Sequence, residues 1–304
     1  MDSKEALVKK ILKLKEKRKA VLLAHNYQIP EIQDLADFVG DSLELSKTSK
    51  NLDSSLIVFC GVRFMAETAK ILSPRKKVLL PALAAGCPLA DTINLDELLR
   101  LKATHPDAWV VSYVNTSAQI KAASDVCCTS GNAVTVVKNA PSRKIIFVPD
   151  KNLGWWVQKN VPEKNIILWQ GSCYVHEQFT LEELEGARKI FPDAPILAHP
   201  ECRKEILQKA DSVVSTAGML KYVKQSSSKR FIVGTEEGLI HKLKKENPGK
   251  EFYSLGAAKI CVNMKKTTLL ELYTSLEKEV HEIHLDKEII EKATIALERM
   301  VSYT

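Results

Sequence analysis

No run of 18 apolar residues occurs in the chain, so no membrane-spanning helix is expected. The start, MDSKEALVKKILKLKEKRKA, lacks the uninterrupted apolar core of a secretory signal, and the expected location is the cytoplasm. Pro- and Gly-rich linkers are missing, which favours rigidly packed units over tethered ones. Basic stretches such as His241-Lys242-Leu243-Lys244-Lys245 have no interleaved aromatics and match no nucleic-acid motif. The net charge of +7 therefore reads as solvated helix faces, with a mild preference for small anionic substrates and no nucleic-acid or membrane partner. An even set of cysteines is missing as well: seven in a chain expected in the cytoplasm disfavour a disulfide framework. Metal ligation or simple burial must account for them.

What the chain does have is a period. Cys87, Cys173 and Cys261 are 86 and 88 residues apart, and Ser42, Ser130 and Thr216 follow steps of 88 and 86. The sets His25, Tyr113, His199 and Tyr27, Asn115, Glu201 repeat at the same interval. Three copies of one unit can place equivalent loops around a pseudo-threefold axis, so that three thiols, three hydroxyls and several acid/base groups line one cavity.

Each unit reads the same way. A short apolar strand opens it (21–24, 110–113, 196–198), and a second follows an Ala/Ser-Asp step at Asp37, Asp125 and Asp211. A third, more apolar strand (56–61, 145–150, 231–236) runs into a helical pattern, and a fourth (77–81, 165–169, 251–255) precedes the spaced cysteine. A helix with a capping residue and an acidic first turn comes next (94–101, 180–187, 268–275). Continuous apolar strands alternating with amphipathic helices indicate an α/β fold of three pseudo-threefold-related repeats, each a parallel sheet flanked by helices. The repeats are expected at 1–86, 87–172 and 173–279, with 280–304 packing back on the first. Right-handed crossovers put all the strand C-terminal ends on one edge, where ligands bind, and all four residue sets fall just after strands.

Cys60, Cys127 and Cys128 lie in or beside apolar strands and read as small buried hydrophobes, while Cys202 stands outside the pattern. Cys87, Cys173 and Cys261 sit in loops of small residues, suited to an iron–sulfur cluster or to zinc with three thiolates and a water. Three thiolates leave one iron of a cubane cluster open as a Lewis acid. His25 and His199, with Tyr27, Tyr113, Asn115 and Glu201, supply acid/base and orienting groups. Ser42, Ser130, Ser215 and Thr216 stand at loop-to-helix transitions, where a hydroxyl either binds a carboxylate or phosphate or simply caps the helix.

The segments LAHNYQIPEIQDLADFVGDSLEL (23–45), CGVRFMAETAKIL (60–72), VSYVNTSAQIKAASDVCCTS (111–130), GSCYVH (171–176), HPEC (199–202), GTEEGLIHKL (234–243) and ICVNMKKTTL (260–269) together resemble the quinolinate synthase family, the A protein of bacterial and archaeal NAD biosynthesis. The resemblance implies a triplicated three-layer α/β/α fold and a [4Fe–4S] cluster on Cys87, Cys173 and Cys261. It implies condensation of iminoaspartate with dihydroxyacetone phosphate to quinolinate, with loss of phosphate and two waters. An L-aspartate oxidase or dehydrogenase would supply the iminoaspartate. Substrate contacts are implied at His25, Ser42, Ser130, His199, Ser215 and Thr216, and acid/base or positioning roles at Tyr27, Tyr113, Asn115 and Glu201. No C-terminal cysteine pair is present, so no dithiol switch is expected. Two other readings remain open: an iron–sulfur or zinc hydro-lyase acting on a small dicarboxylate, and a small-anion binding protein.

Overall fold

The computed structural model describes residues 3–303. Each repeat builds one four-stranded, all-parallel sheet with the same strand order. The first contains β1 (Ala20–His25), β2 (Phe38–Gly40), β3 (Leu56–Cys60) and β4 (Lys77–Leu79), ordered β2-β1-β3-β4. The second contains β5 (Trp109–Tyr113), β6 (Val126–Cys128), β7 (Lys144–Val148) and β8 (Asn165–Leu168), ordered β6-β5-β7-β8. The third contains β9 (Ile196–Ala198), β10 (Ser212–Val213), β11 (Arg230–Gly234) and β12 (Glu251–Ser254), ordered β10-β9-β11-β12. Helices cover both faces, so the central strands are buried end to end, as in β3 and most of β7. The three-layer α/β/α architecture in three repeats is thus the one present.

The Ala/Ser-Asp step has a physical cause. Asp37 accepts a hydrogen bond on Oδ2 from Leu22 N (2.8 Å) and returns its own N–H to Leu22 O (2.9 Å). Asp125 does the same with Val110 (2.7 and 3.0 Å), and Asp211 with Ile196 (2.7 and 2.9 Å). A two-way clasp therefore sets the start of each second strand against the first, fixing its register.

The helix after each cysteine carries a capping box: Asn94 with Glu97 on α5 (Leu95–Thr104), Thr180 with Glu183 on α9 (Leu181–Ile190), and Thr268 with Glu271 on α13 (Leu269–Lys278). Leu98 of α5 packs with Val110 and Ile146 of the second sheet, and Leu184 of α9 with Ile196 and Ile232 of the third. Leu272 and Leu276 of α13 pack with Leu22 and Val58 of the first sheet and with Ile11 of α1 (Lys4–Lys17). Each post-cysteine helix is thus handed to the next sheet, and the last closes the ring. Beyond it the tail divides. Glu282 bridges antiparallel to Leu79, whereas α14 (Lys287–Ser302) lies mainly on α6 (Ala118–Ala122) and β6 of the second repeat, and less on α4 (Arg63–Leu72) of the first.

In every sheet the chain runs outward from the first strand to the second, then crosses back to the third. The crevice at that reversal, beyond the C-terminal ends of β1/β3, β5/β7 and β9/β11, is where open parallel sheets hold ligands.

Candidate active site

The three crevices merge into one cavity. Its lining includes Cys87, Cys173 and Cys261, the hydroxyl residues Ser42, Ser130 and Thr216, and all six of His25, Tyr113, His199, Tyr27, Asn115 and Glu201. Ser215 is the one sequence-predicted residue outside that lining. It is the N-cap of α11 (Thr216–Gln225), its Oγ accepting from Gly218 N (3.2 Å), and the next residue, Thr216, meets the cavity.

The cysteine loops are built alike. Each cysteine opens a short 3-10 turn (Ala90–Thr92, His176–Gln178, Met264–Lys266), and its carbonyl accepts from the N–H four residues on: Asp91 to Cys87 (3.1 Å), Glu177 to Cys173 (3.0 Å), Lys265 to Cys261 (3.2 Å). The turn aims backbone N–H groups at sulfur: Ala90 and Leu89 at Cys87, His176 at Cys173, Met264 and Asn263 at Cys261. Burial pushes the Cys87 thiol up to about 12 and the thiols of Cys173 and Cys261 upward too.

Glu201 is the centre of the acid/base network. Its Oε2 lies 3.0 Å from His176 Nδ1 and 3.2 Å from His199 Nδ1, and its Oε1 accepts from Asn115 Nδ2 (3.4 Å). Burial alone would raise this carboxyl, but the facing rings of His176 and His199 hold it well below the usual carboxylate range. His176 and His199 stack at 4.6 Å, and His199 Nε2 sits 3.1 Å from Ser130 Oγ. His176 Nε2 meets Thr235 Oγ1 (2.9 Å), and Thr235 Oγ1 meets the Tyr27 hydroxyl (2.6 Å). His176, Thr235 and Tyr27 thus form one hydrogen-bonded chain, and its His176 end faces Glu201 through an Nδ1 that has no hydrogen-bond partner. Burial and the Glu201 charge push the Tyr27 and Tyr113 phenols far up, so both stay protonated. Burial and the nearby His199 lower His25 to about 3, keeping it neutral. Its Nδ1 accepts from Tyr27 N (3.2 Å), which leaves Nε2 to carry the proton.

His176, Thr235 and Glu236 went unrecognised in the sequence. His176 stands three residues after Cys173, where the other repeats have Ala90 and Met264; Glu236 matches Val62 and Asp150. A search for like residues at matched positions is blind to such places. The signal available was the 86- and 88-residue step itself, applied to every residue near a cysteine or strand end.

Two donor sets could hold a metal. Cys173, His176 and Glu201 present ligand atoms within 4.8 Å of one another. His176 already bonds Thr235 and Glu201 already accepts from Asn115, while His176 Nδ1 faces Glu201 without a hydrogen-bond partner. The three cysteines fit a metal centre better. Their thiols are half-buried, face one cavity and have backbone N–H groups directed at sulfur, a setting in which bound metal favours the thiolate. Three soft donors on three loops could hold a thiolate-ligated metal centre.

A family model described as NadA, quinolinate synthetase A protein, matches residues 9–302. The quinolinate synthase of Alkaliphilus metalliredigens is 52% identical over 295 residues, covering 97% of both chains. That of Thermodesulfovibrio yellowstonii is also 52% identical over 295 residues with the same coverage. The quinolinate synthase of Methanoregula boonei is 48% identical over 302 residues, 99% of this chain and 100% of its own.

Proposed function

The chain belongs to the quinolinate synthetase A family, and from that premise we propose that it condenses iminoaspartate with dihydroxyacetone phosphate to quinolinate, releasing phosphate and two waters, in de novo NAD biosynthesis. Cys87, Cys173 and Cys261 would hold a [4Fe–4S] cluster, which when bound supplies a Lewis-acidic iron for dehydration. The observation that carries this reading is the convergence of three equivalent thiol loops and one histidine–glutamate network on a single cavity.

The chain's own groups divide the remaining work. Carboxylate and phosphate oxygens would be held by the His25 Nε2–H and by the Ser42, Ser130 and Thr216 hydroxyls. Thr216 stands at the first turn of α11, where the helix dipole favours an anion. At α3 (Ser42–Asn51) the Asp41 carboxylate already accepts from Leu43 N and Glu44 N (both 2.9 Å), so Ser42 contributes chiefly its hydroxyl. Glu201, ionised and hydrogen-bonded, suits a general base. Tyr27, protonated and linked through Thr235 to the His176 ring that faces Glu201, suits a general acid. Tyr113 and Asn115 would orient the substrate. Burial keeps water from competing for these donors. An L-aspartate oxidase or dehydrogenase would supply the iminoaspartate, and the cytoplasm is the proposed location.

Anaerobically purified protein tests the proposal. It should carry about four iron and four sulfide per chain and form quinolinate from the two substrates. Iron-free protein with full turnover would sink it. The Cys173, His176, Glu201 grouping supports one second reading, a zinc hydro-lyase; stoichiometric zinc and no iron would favour that instead.

A further inference from the structure

Each cysteine loop is tied to its sheet by one shared backbone bond: Arg63 N to Ala85 O (2.8 Å), Lys151 N to Gly171 O (2.8 Å) and Glu237 N to Lys259 O (3.1 Å). The loops differ in what else secures them. Beside Cys87, Ala85 and Leu89 are buried, and beside Cys173, Val175 is buried. Two residues past Cys261 the matched place is Asn263, polar and half-buried, so that position gives no apolar anchorage. Here a carboxylate reaches in and meets three donors. Glu236, with no exposed surface, accepts on Oε1 from Cys261 N (3.0 Å) and Lys265 Nζ (2.8 Å), and on Oε2 from Gly238 N (2.7 Å). Lys265 Nζ also donates to the main-chain oxygen of Tyr27 (2.5 Å).

We propose that Glu236 is the positioning residue for Cys261, replacing the apolar packing that the other two loops enjoy, and that Lys265 extends the same hold to the segment carrying Tyr27. The inference rests on the reading of Cys261 as a metal ligand. The matched residue in the first repeat, Val62, has no hydrogen-bonding side chain. In the second, Asp150 is divided between two tasks: it caps α8 (Lys151–Asn160) through Leu153 N (2.7 Å) and also faces the backbone N–H of Cys173. A carboxylate that fixes a ligand's own backbone limits the motion of its sulfur, and outer partners of this kind typically affect metal affinity by about 10–100-fold. Through Lys265, the loop bearing the thiol and the tyrosine of the acid/base chain share one anchor.

The test compares wild type, Glu236→Leu, Glu236→Gln and Lys265→Met. Backbone amide exchange at Cys261 is measured in iron-free protein, and iron release to a chelator after anaerobic reconstitution. Glu236→Leu should speed both by about tenfold or more. Glu236→Gln, which keeps a carbonyl oxygen for the Cys261 N–H, should return both to within about threefold of wild type. Lys265→Met should leave iron release near wild type and lower kcat without a matching change in KM. If Glu236→Leu fails to fold, Glu236→Asp, one methylene too short to reach, takes its place with the same expectation. Wild-type exchange and iron release in a folded Leu or Asp variant would overturn the proposal, as would a Gln variant as fast as Leu. Should wild type take up no iron, the metal reading fails instead, and the amide-exchange measurement still decides the role of Glu236.

Discussion

The cysteine loops are near copies of one another. Each thiol opens a 3-10 turn, each turn is closed by the same backbone bond, and each loop follows the last strand of its sheet. The acid/base groups of the same cavity break the symmetry. The places of His25 and Tyr27 are taken by Tyr113 and Asn115 in the second repeat and by His199 and Glu201 in the third. Triplication can deliver three equal donors to one point, which suits a symmetric metal centre. It cannot by itself deliver a base, an acid and an orienting amide, because those tasks need different side chains. The fold supplies equivalent positions, and divergence at those positions supplies the chemistry.

The strongest way to break this comparison is to remove one of the symmetric donors. Cys87→Ala, Cys173→Ala and Cys261→Ala should each lose the metal centre and with it turnover, read as iron content and quinolinate formation. Equal severity at all three is expected, and a variant retaining iron and activity would end the equivalence. On the asymmetric side, Glu201→Gln should lower kcat by about 10²–10⁴-fold while iron content holds. A change under threefold would show that the carboxylate is not the base. The repeat equivalent Asn115→Ala should act more on KM than on kcat.

The symmetric part was legible in the sequence and much of the asymmetric part was not. Apolar strands, the Asp37, Asp125 and Asp211 clasps and the spaced cysteines recur because each repeat needs them to fold and to reach the axis. His176 was hidden because it follows the last strand of the second sheet while the groups it meets, Glu201 and Thr235, follow strands of the third, and Ala90 and Met264 hold its matched places. Such a contact exists only once the sheets meet. The final helix illustrates a second limit. Its pattern specifies an apolar face, with Ala293, Ala296, Leu297 and Met300 buried, but not which surface receives it, and it rests mainly on α6 and β6. The paired hydroxyls Ser215 and Thr216 were readable as a helix start, yet which one caps and which one faces the cavity is settled by the turn's geometry.

Protonation offers a further way to sharpen the contrast between His25 and its matched residue Tyr113. Unfolded, His25 would titrate near 6.5; folded, burial lowers it to about 3. Between those values the unfolded chain binds the extra proton, so stability falls as pH drops below 6.5 and levels off near 3. The slope from one such group is about 1.4 kcal/mol per pH unit. Denaturant midpoints of iron-free protein from pH 7 to 4.5 should show His25→Gln losing less stability than wild type, and Tyr113→Phe losing as much. Parallel curves for wild type and His25→Gln would refute the assignment. A smaller effect is expected from Thr235→Val, which cuts the chain between Tyr27 and His176 without changing shape. A drop of about tenfold in kcat at unchanged KM is expected, and an unaltered kcat would show that the chemistry does not use this hydroxyl.

The mildest expectation concerns the hydroxyl pair at α11, where neighbouring residues face opposite tasks. Ser215 occupies the place of Asp41 in the first repeat, and both side chains cap a helix, Ser215 through Gly218 N and Asp41 through Leu43 N and Glu44 N. Thr216 occupies the place of Ser42, and both line the cavity. Ser215→Ala should therefore cost about 1 kcal/mol of stability and leave KM within about twofold, since Gly218 N loses its acceptor while the cavity wall is unchanged. Thr216→Val should raise KM and also lower the denaturation midpoint, because the buried Asn26 Nδ2, which donates to Thr216 Oγ1 (2.9 Å), loses its acceptor. A tenfold rise in KM for Ser215→Ala at unchanged stability would mean that its hydroxyl leaves the cap to meet substrate, and the two positions would then have to be treated as one binding pair.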